Sequence, residues 1–339
     1  MSHETTSNIQ AVPPLLSVQG LHVEYRTRKG PVRAVDNVSF DIQRNEVFGL
    51  AGESGCGKST IAQAILRLHK PPAHITDGQV LFDMTDVLKL DKKALQQLRW
   101  EHIAFVSQSA MNALNPVMTV GEQVIDVMQA HRPVHRKQAR QRARELFDVV
   151  GIDPDRIDSY PHQLSGGMRQ RAVIAIALAL QPELIILDEP TTALDVVVQK
   201  QIMEELKQLK DEFGFSALFI THDLSLLVEF SDRIAIMYAG EIVEIGSSRQ
   251  IFTEPQHPYT QRLMGSFPTL HGERKAFLGI PGSPPNLLSP PTGCRFHPRC
   301  DVAIAGLCQE VHPDLFTVGD KHHAACHLVT EKDRDFQQS

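Results

Sequence analysis

From Leu15 onward, apolar and polar positions alternate through LLSVQGLHVEY (15–25) and VRAVDNVSFDI (32–42). A period of two turns every second side chain to the same face, so both runs read as half-buried β-strands. EVFGLAG (46–52) is more continuously apolar and reads as a deeper strand. It leads into a glycine-rich stretch, after which IAQAILRL (61–68) takes up helical spacing. Residues 86–150 are mostly helical in pattern, since KKALQQLRW, VGEQVIDVMQAH and RKQARQRARELFDVV repeat their apolar positions every three or four residues. One strand-like insert, HIAFVSQ (102–108), interrupts them.

A second alternating series follows. It comprises a helix from Gly166 to Leu180, strand LIILD (184–188), a helix near 196–213, strand SALFITHD (216–223), and strands IAIMYAG and EIVEIG. Strands alternating with helices predict a layered α/β domain with a mainly parallel sheet. The polar residues 1–13 read as a flexible tail and 14–255 as the main domain, with a helical part over about 86–170. Composition changes after Ile251, and prolines cluster in PGSPPNLLSPPTG (281–293). Residues 256–339 therefore read as a separate, small and irregular C-terminal extension. No internal repeat is evident.

A length of 339 residues allows one large domain and a smaller one. The formal charge of -6, from 34 basic and 40 acidic residues, argues against a broad electrostatic grip on nucleic acid. The longest strongly apolar run, AVIAIALAL (172–180), is well short of the roughly 20 residues a membrane helix needs. No basic-then-apolar leader opens the chain. The expectation is a cytosolic protein whose role at a membrane, if it has one, requires partner chains.

Gly52-Glu53-Ser54-Gly55-Cys56-Gly57-Lys58-Ser59, followed by Thr60, fits G-x-x-x-x-G-K-[ST] between a buried strand and a helix. Such glycines let the backbone curl its N–H groups toward phosphate oxygens. Lys58 offers a positive charge to the β- and γ-phosphates of ATP, and Ser59 a hydroxyl to Mg²⁺. Cys56 reads as a small residue that fits a variable position. LIILDEP ends a strand in two carboxylates, which are costly to bury unless a metal or polar ligand meets them. Asp188 is the candidate for Mg²⁺ and Glu189 for polarising the attacking water. Gln108 and His222 each end a strand-like run. Gln108 is a candidate to reach Mg²⁺ or the water, and His222 to contact the γ-phosphate and hold Glu189 in place.

Between these elements stands Leu164-Ser165-Gly166-Gly167-Met168-Arg169-Gln170-Arg171. Ser165 is a helix N-cap candidate, and the glycines expose N–H groups at a second helix start. LSGG-x-x-Q is the signature of ABC ATPases, and the chain closely resembles that family over about residues 15–245. The order of motifs matches as well: phosphate loop, Gln108, signature, DEP, TTALD, His222. The resemblance implies an ABC-type nucleotide-binding domain with a RecA-like core, an antiparallel β subdomain and a helical subdomain. It also implies a head-to-tail dimer in which Ser165, Gly166, Gly167 and Gln170 bind the ATP held by the opposite subunit, with Asp195 of TTALD at the seam. Tyr25 resembles the aromatic that stacks on adenine. Segment 109–119 resembles the family's surface for docking a membrane subunit.

Cys294, Cys300, Cys308 and Cys326 are spaced C-x5-C-x7-C-x17-C, which is neither a usual zinc ribbon nor a standard ferredoxin run. With HPYTQRL, GSPPNL and GCRFHPRC, the extension resembles that of oligopeptide and dipeptide transporter ATPases. That resemblance implies two permease subunits, a second ATPase subunit and an external substrate-binding protein as partners, at the cytoplasmic face of the membrane. The cargo it implies is peptide, with oligosaccharide as the alternative. It also suggests a [4Fe–4S] cluster on the four cysteines, or Zn²⁺, with histidines 297, 312, 322, 323 and 327 as substitute ligands. A soluble ABC ATPase acting on ribosomes or DNA is the less favoured class: the chain has one cassette and no long coiled coil.

Overall fold

The computed structural model describes residues 12–108, 113–191, 195–265 and 279–329. Two sheets organise the chain. The first is antiparallel, in the order β2-β1-β4-β5, from β1 (Leu16–Thr27), β2 (Gly30–Ile42), β4 (Ala73–Phe82) and β5 (Thr85–Asp86). The second has eight strands in the order β11-β12-β10-β9-β3-β8-β7-β6. Its members are β3 (Val47–Gly52), β6 (Ile103–Val106), β7 (Leu184–Asp188), β8 (Ser216–Ile220), β9 (Arg233–Tyr238), β10 (Glu241–Ser247), β11 (Phe316–Gly319) and β12 (His322–Ala324).

The sheet is parallel from β6 through β7, β8 and β3 to β9, and antiparallel beyond. Strands β7 and β8 are buried at every position, as a sheet covered on both faces requires. One face packs Phe48, Leu50, Ile186 and Leu218 against Val18, Leu21 and Val23 of the antiparallel sheet and Ile61 and Ile65 of helix Lys58–Ile65. On the other face, Leu187, Phe219 and Ile236 join a core with Val124, Leu146, Phe147 and Ile174 from the helical part.

The helical part contains Lys92–Glu101, Val120–His131, Arg136–Val149 and Gly166–Leu178. Local chemistry starts them: Asp91, Thr119 and Ser165 each accept a backbone N–H at their helix N-terminus, as capping residues do. Helix Val196–Phe213 begins at Asp195, whose carboxylate accepts the Val198 N–H, and ends at Gly214 in the left-handed conformation. Among the described residues, the other α-helices are Leu224–Phe230, Ser248–Thr253, Pro258–Gly265 and Leu307–Glu310.

Two regions depart from the pattern reading. Strand β4 carries no clear alternation, because its middle is polar and exposed around Gly78. The C-terminal extension contains a hairpin, β11–β12, that continues the main sheet through pairing of Glu244 with Ala324 and Ile245 with His323. At that junction Glu244 is fully buried. Its carboxylate accepts from the backbone of Gln256 and His257 and lies 2.8 Å from His322 Nε2.

His257, equally buried, is pushed by desolvation down to about 4, against the pull of Glu244. A histidine depressed below its unfolded value of 6.5 binds fewer protons in the native state. Its contribution to stability is therefore complete above pH 6.5 and is lost as pH falls toward 4. We expect urea midpoints to decline over that interval, and His257→Asn to remove part of the slope.

Candidate functional site

The parallel strands deliver their chemistry at their carboxyl ends, where the crevices of open α/β sheets lie. Strand β3 opens into the glycine-rich loop, β7 ends in Asp188, Gln108 follows β6 by two residues, and His222 follows β8 by two. Gly52 and Gly57 have φ of 149° and 113°. A Cβ at Gly52 would lie 2.2 Å from the Met237 carbonyl oxygen, and one at Gly57 2.2 Å from that of Ala34. No side chain fits at either position, so the loop's curl depends on both glycines.

The Lys58 side chain is buried and reaches back over the loop. Its Nζ donates to the carbonyls of Gly52 (2.7 Å) and Glu53 (3.0 Å) and lies 3.6 Å from Cys56 Sγ. Cys56 is buried, and desolvation pushes its thiol up. Ser59 donates to Asp188 Oδ1 at 3.0 Å, joining the loop to β7. Burial raises the Asp188 carboxyl, opposed by that hydrogen bond and by Lys58 and reinforced by the neighbouring charge of Glu189. Two oxygen-bearing side chains in contact, one a carboxylate short of solvation, suit a hard cation such as Mg²⁺.

Glu189 sits at φ 49°, a conformation that costs a non-glycine residue energy, and its N–H is anchored to the Ile220 carbonyl at 2.8 Å. Gln108 Nε2 donates to its Oε2 at 2.7 Å, and His222 Nδ1 lies 3.6 Å from the same oxygen. Gln108, Glu189 and His222 thus meet from three strands. Tyr25, on β1, places its hydroxyl 3.2 Å from Thr60 Oγ1.

In the signature, Ser165 Oγ accepts the Met168 N–H at 3.3 Å, so the helix starts at Gly166. A Cβ on Gly167 would meet Val198, which brings the signature beside the helix headed by Asp195. Gln170 is buried, and its Nε2 has no hydrogen-bond partner among the described residues. Residues 109–112 of the docking segment, and 192–194 of TTALD, lie outside the described residues.

The structure brings the four cysteines near one another. Desolvation raises Cys294 to about 12 and Cys326 to about 11, with Cys300 and Cys308 adding to both shifts and Cys326 also to that of Cys294. The Cys294 N–H donates to the Cys308 carbonyl at 2.9 Å. Yet among the described residues no group of three or more His, Cys, Asp or Glu is arranged to hold a metal ion. The expected [4Fe–4S] or zinc ligand set is therefore not in place. The candidate histidines are engaged elsewhere. His297 contacts the Cys294 carbonyl, His312 contacts Glu241, His322 contacts Glu244, His323 contacts Thr317, and His327 contacts the Val311 carbonyl.

Pattern reasoning missed two residues at the loop. Tyr259 Oη accepts the Glu53 N–H at 3.0 Å. Arg299 forms a two-pronged pair with the Glu53 carboxylate, at 2.7 Å and 3.0 Å. Both contacts span more than 200 residues, and no local signal announces them.

Residues 35–192 match the family model of ABC transporters. Two solved dimeric structures of the ATP-binding cassette MJ0796, one in a post-hydrolysis state bound to ADP and Pi, each align with a TM-score of 0.62 at 32% identity. Each alignment covers 69% of this chain and 99% of the other. With the full-length relatives below, these likenesses show that the chain belongs to the ABC transporter family, as one of its ATP-hydrolysing cassettes. Residues 243–308 match the C-terminal region of oligopeptide/dipeptide transporters. The chain is 44% identical to the dipeptide transport ATP-binding protein DppD of Bacillus subtilis, across 94% of this chain and 96% of the relative. It is 43% identical to the oligopeptide transport ATP-binding protein OppD of the same organism, across 94% and 90%. A putative peptide import ATP-binding protein of Brucella melitensis is 46% identical, across 91% and 93%.

Replacing Asp188 by Asn removes a buried charge while keeping its shape. We expect Asp188→Asn to raise the melting temperature of nucleotide-free protein by a few °C, on the order expected for about 1 kcal/mol in a chain of this size. An unchanged or lowered melting temperature would show that burial does not disfavour this carboxylate.

Proposed function

We propose that this chain is the ATPase subunit of a membrane importer for short peptides. It works with two permease subunits, a second ATPase subunit and an extracytoplasmic substrate-binding protein. The observation that carries this reading is the match of residues 243–308 to the peptide-transporter C-terminal region, joined to full-length likeness to peptide transport ATP-binding proteins. The same likeness favours peptides over oligosaccharides as cargo, and nothing in it favours a ribosome or DNA partner. Likeness to transport ATP-binding proteins supports placing the chain on the cytoplasmic face of the membrane, held by its permeases; no helix among the described residues is long and apolar enough to cross a membrane. A groove lined by Trp100, Phe105, Leu114, Met118, Val127 and Val173 in the helical part suits docking of a permease segment.

In this reading the loop N–H groups and Lys58 hold the phosphates, with Gly55, Ser54 and Thr60 completing the cradle. Ser59 and Asp188 hold Mg²⁺, which when bound neutralises charge on the β- and γ-phosphates. Glu189 takes a proton from the attacking water, and Gln108 and His222 orient its carboxylate. Tyr25 offers its ring to adenine, with its hydroxyl tied to Thr60. Ser165, Gly166, Gly167 and Gln170 serve the ATP of the opposing subunit, which would offer the Gln170 Nε2 donor the acceptor it lacks among the described residues. Val196 and Val197, 80% and 77% exposed beside Asp195, suit burial at such a seam. Hydrolysis would loosen that seam and pass motion to the permeases. A [4Fe–4S] cluster or Zn²⁺ on the cysteines has only the gathering of thiols in its support and would require them to rearrange. Iron and sulfide assays on anaerobically purified protein decide it, and metal-free protein with an intact fold rejects it.

Glu189→Gln is expected to bind ATP but hydrolyse it about 10²–10⁴-fold more slowly, the usual effect of losing a general base. Lys58→Ala is expected to abolish binding. Affinity capture of Glu189→Gln with Mg-ATP from native membranes should bring down two multi-spanning proteins and a related ATPase. Transport by the reconstituted complex, assayed with peptides against oligosaccharides, then identifies the cargo. Capture of soluble partners alone, such as ribosomal or DNA-repair proteins, would overturn the importer reading.

A further inference from the structure

A carboxylate inside a phosphate-binding loop poses an electrostatic problem. Glu53 follows the first glycine of the loop, and its negative charge opposes the anion the loop exists to hold. Arg299, 246 residues away in the C-terminal extension, meets both carboxylate oxygens. The guanidinium is itself fixed from three further directions. Its Nε donates to the Pro281 carbonyl at 2.6 Å, its Nη1 to the Tyr238 hydroxyl at 3.3 Å, and its centre lies 5.7 Å from the Tyr238 ring centroid. The Arg299 side chain is 6% exposed and that of Glu53 24%, so the cation is buried while the carboxylate keeps some contact with solvent. Tyr259, also fully buried, holds the Glu53 N–H.

We propose that Arg299 is a positioning residue for ATP binding: it neutralises Glu53 and, with Tyr259, holds the start of the phosphate loop in place. The reading rests on the nucleotide site described above and adds a requirement for the extension. The cassette's affinity for Mg-ATP depends on a cation supplied from outside the cassette's own motifs. Arg299 touches no phosphate in this account and acts through Glu53. A bidentate fork is needed to cover both oxygens at once, which a lysine cannot do.

Equilibrium binding of Mg-ATP to the full chain tests this, with the melting temperature of nucleotide-free protein as the check on folding. Arg299→Met is expected to weaken Mg-ATP by about tenfold, equivalent to 1.4 kcal/mol. The defect should shrink as salt rises, because the exposed repulsion is screened. Adding Glu53→Gln to Arg299→Met removes the repulsion and is expected to restore affinity to within about threefold of the parent. A purely structural arginine would show no such rescue. Parent affinity in Arg299→Met, or a double variant as weak as the single, overturns the proposal. If Arg299→Met does not fold, Arg299→Lys takes its place: it keeps a charge but not the fork, is expected to bind Mg-ATP more weakly than the parent, and should be rescued by Glu53→Gln, with parent affinity or no rescue overturning the proposal. Failure of Lys58→Ala to lose ATP would instead indict the nucleotide site itself.

Discussion

The hydrogen bond between Ser59 and Asp188 is the contact on which the site depends. It joins the loop after β3 to the end of β7, although β8 lies between those strands in the sheet. A carboxylate at the end of a buried strand tolerates its position only with a partner, and the serine hydroxyl supplies one. The same pairing brings the glycine-rich loop, with Lys58, beside the two acidic residues at the end of β7. Parallel register enforces it: Asp188 is level with Ile220, and Glu189 hangs from the Ile220 carbonyl. The Glu189 carboxylate is thus aimed by the sheet.

Much of this was legible along the chain. The glycine spacing of the loop, the LIILD strand with its paired acids, the serine before Gly166 and the helix over 196–213 all carry their own local physics. Chain-order logic placed Gln108 and His222 at strand ends, and both come to Glu189. Local pattern failed where the stabilising partner is remote. Strand β4 is polar in its middle because it lies on an exposed sheet, so alternation is weak. The hairpin β11–β12 is short, and its burial comes from the β10 edge. Four cysteines in sequence suggested ligands, but their spacing says nothing about whether the sulfurs converge in ligand geometry.

The C-terminal extension also changes how the cassette is bounded. Its hairpin covers β10, which would otherwise present unpaired backbone groups at the sheet edge. Arg295 binds the Ala239 carbonyl, Asp36 and Glu241, tying the extension to β2 and to the β9–β10 turn. Buried ion pairs such as these add little net stability but penalise wrong arrangements heavily, since breaking one leaves a charge without a partner. The extension is therefore held in one position against the strands that carry the loop.

The pairing of β3 has a consequence for synthesis on the ribosome. Phe48 pairs with Leu218 and with Arg233, so both neighbours of the central strand are made at least 170 residues after it. At roughly 5–20 residues per second, the apolar strand that will carry the nucleotide loop waits on the order of ten seconds for its first flanking strand. During that interval its edges are open to any other extended chain. Until both neighbours exist the strand cannot be paired, so the yield of folded chain should depend on translation speed between residues 50 and 220 as well as on final stability.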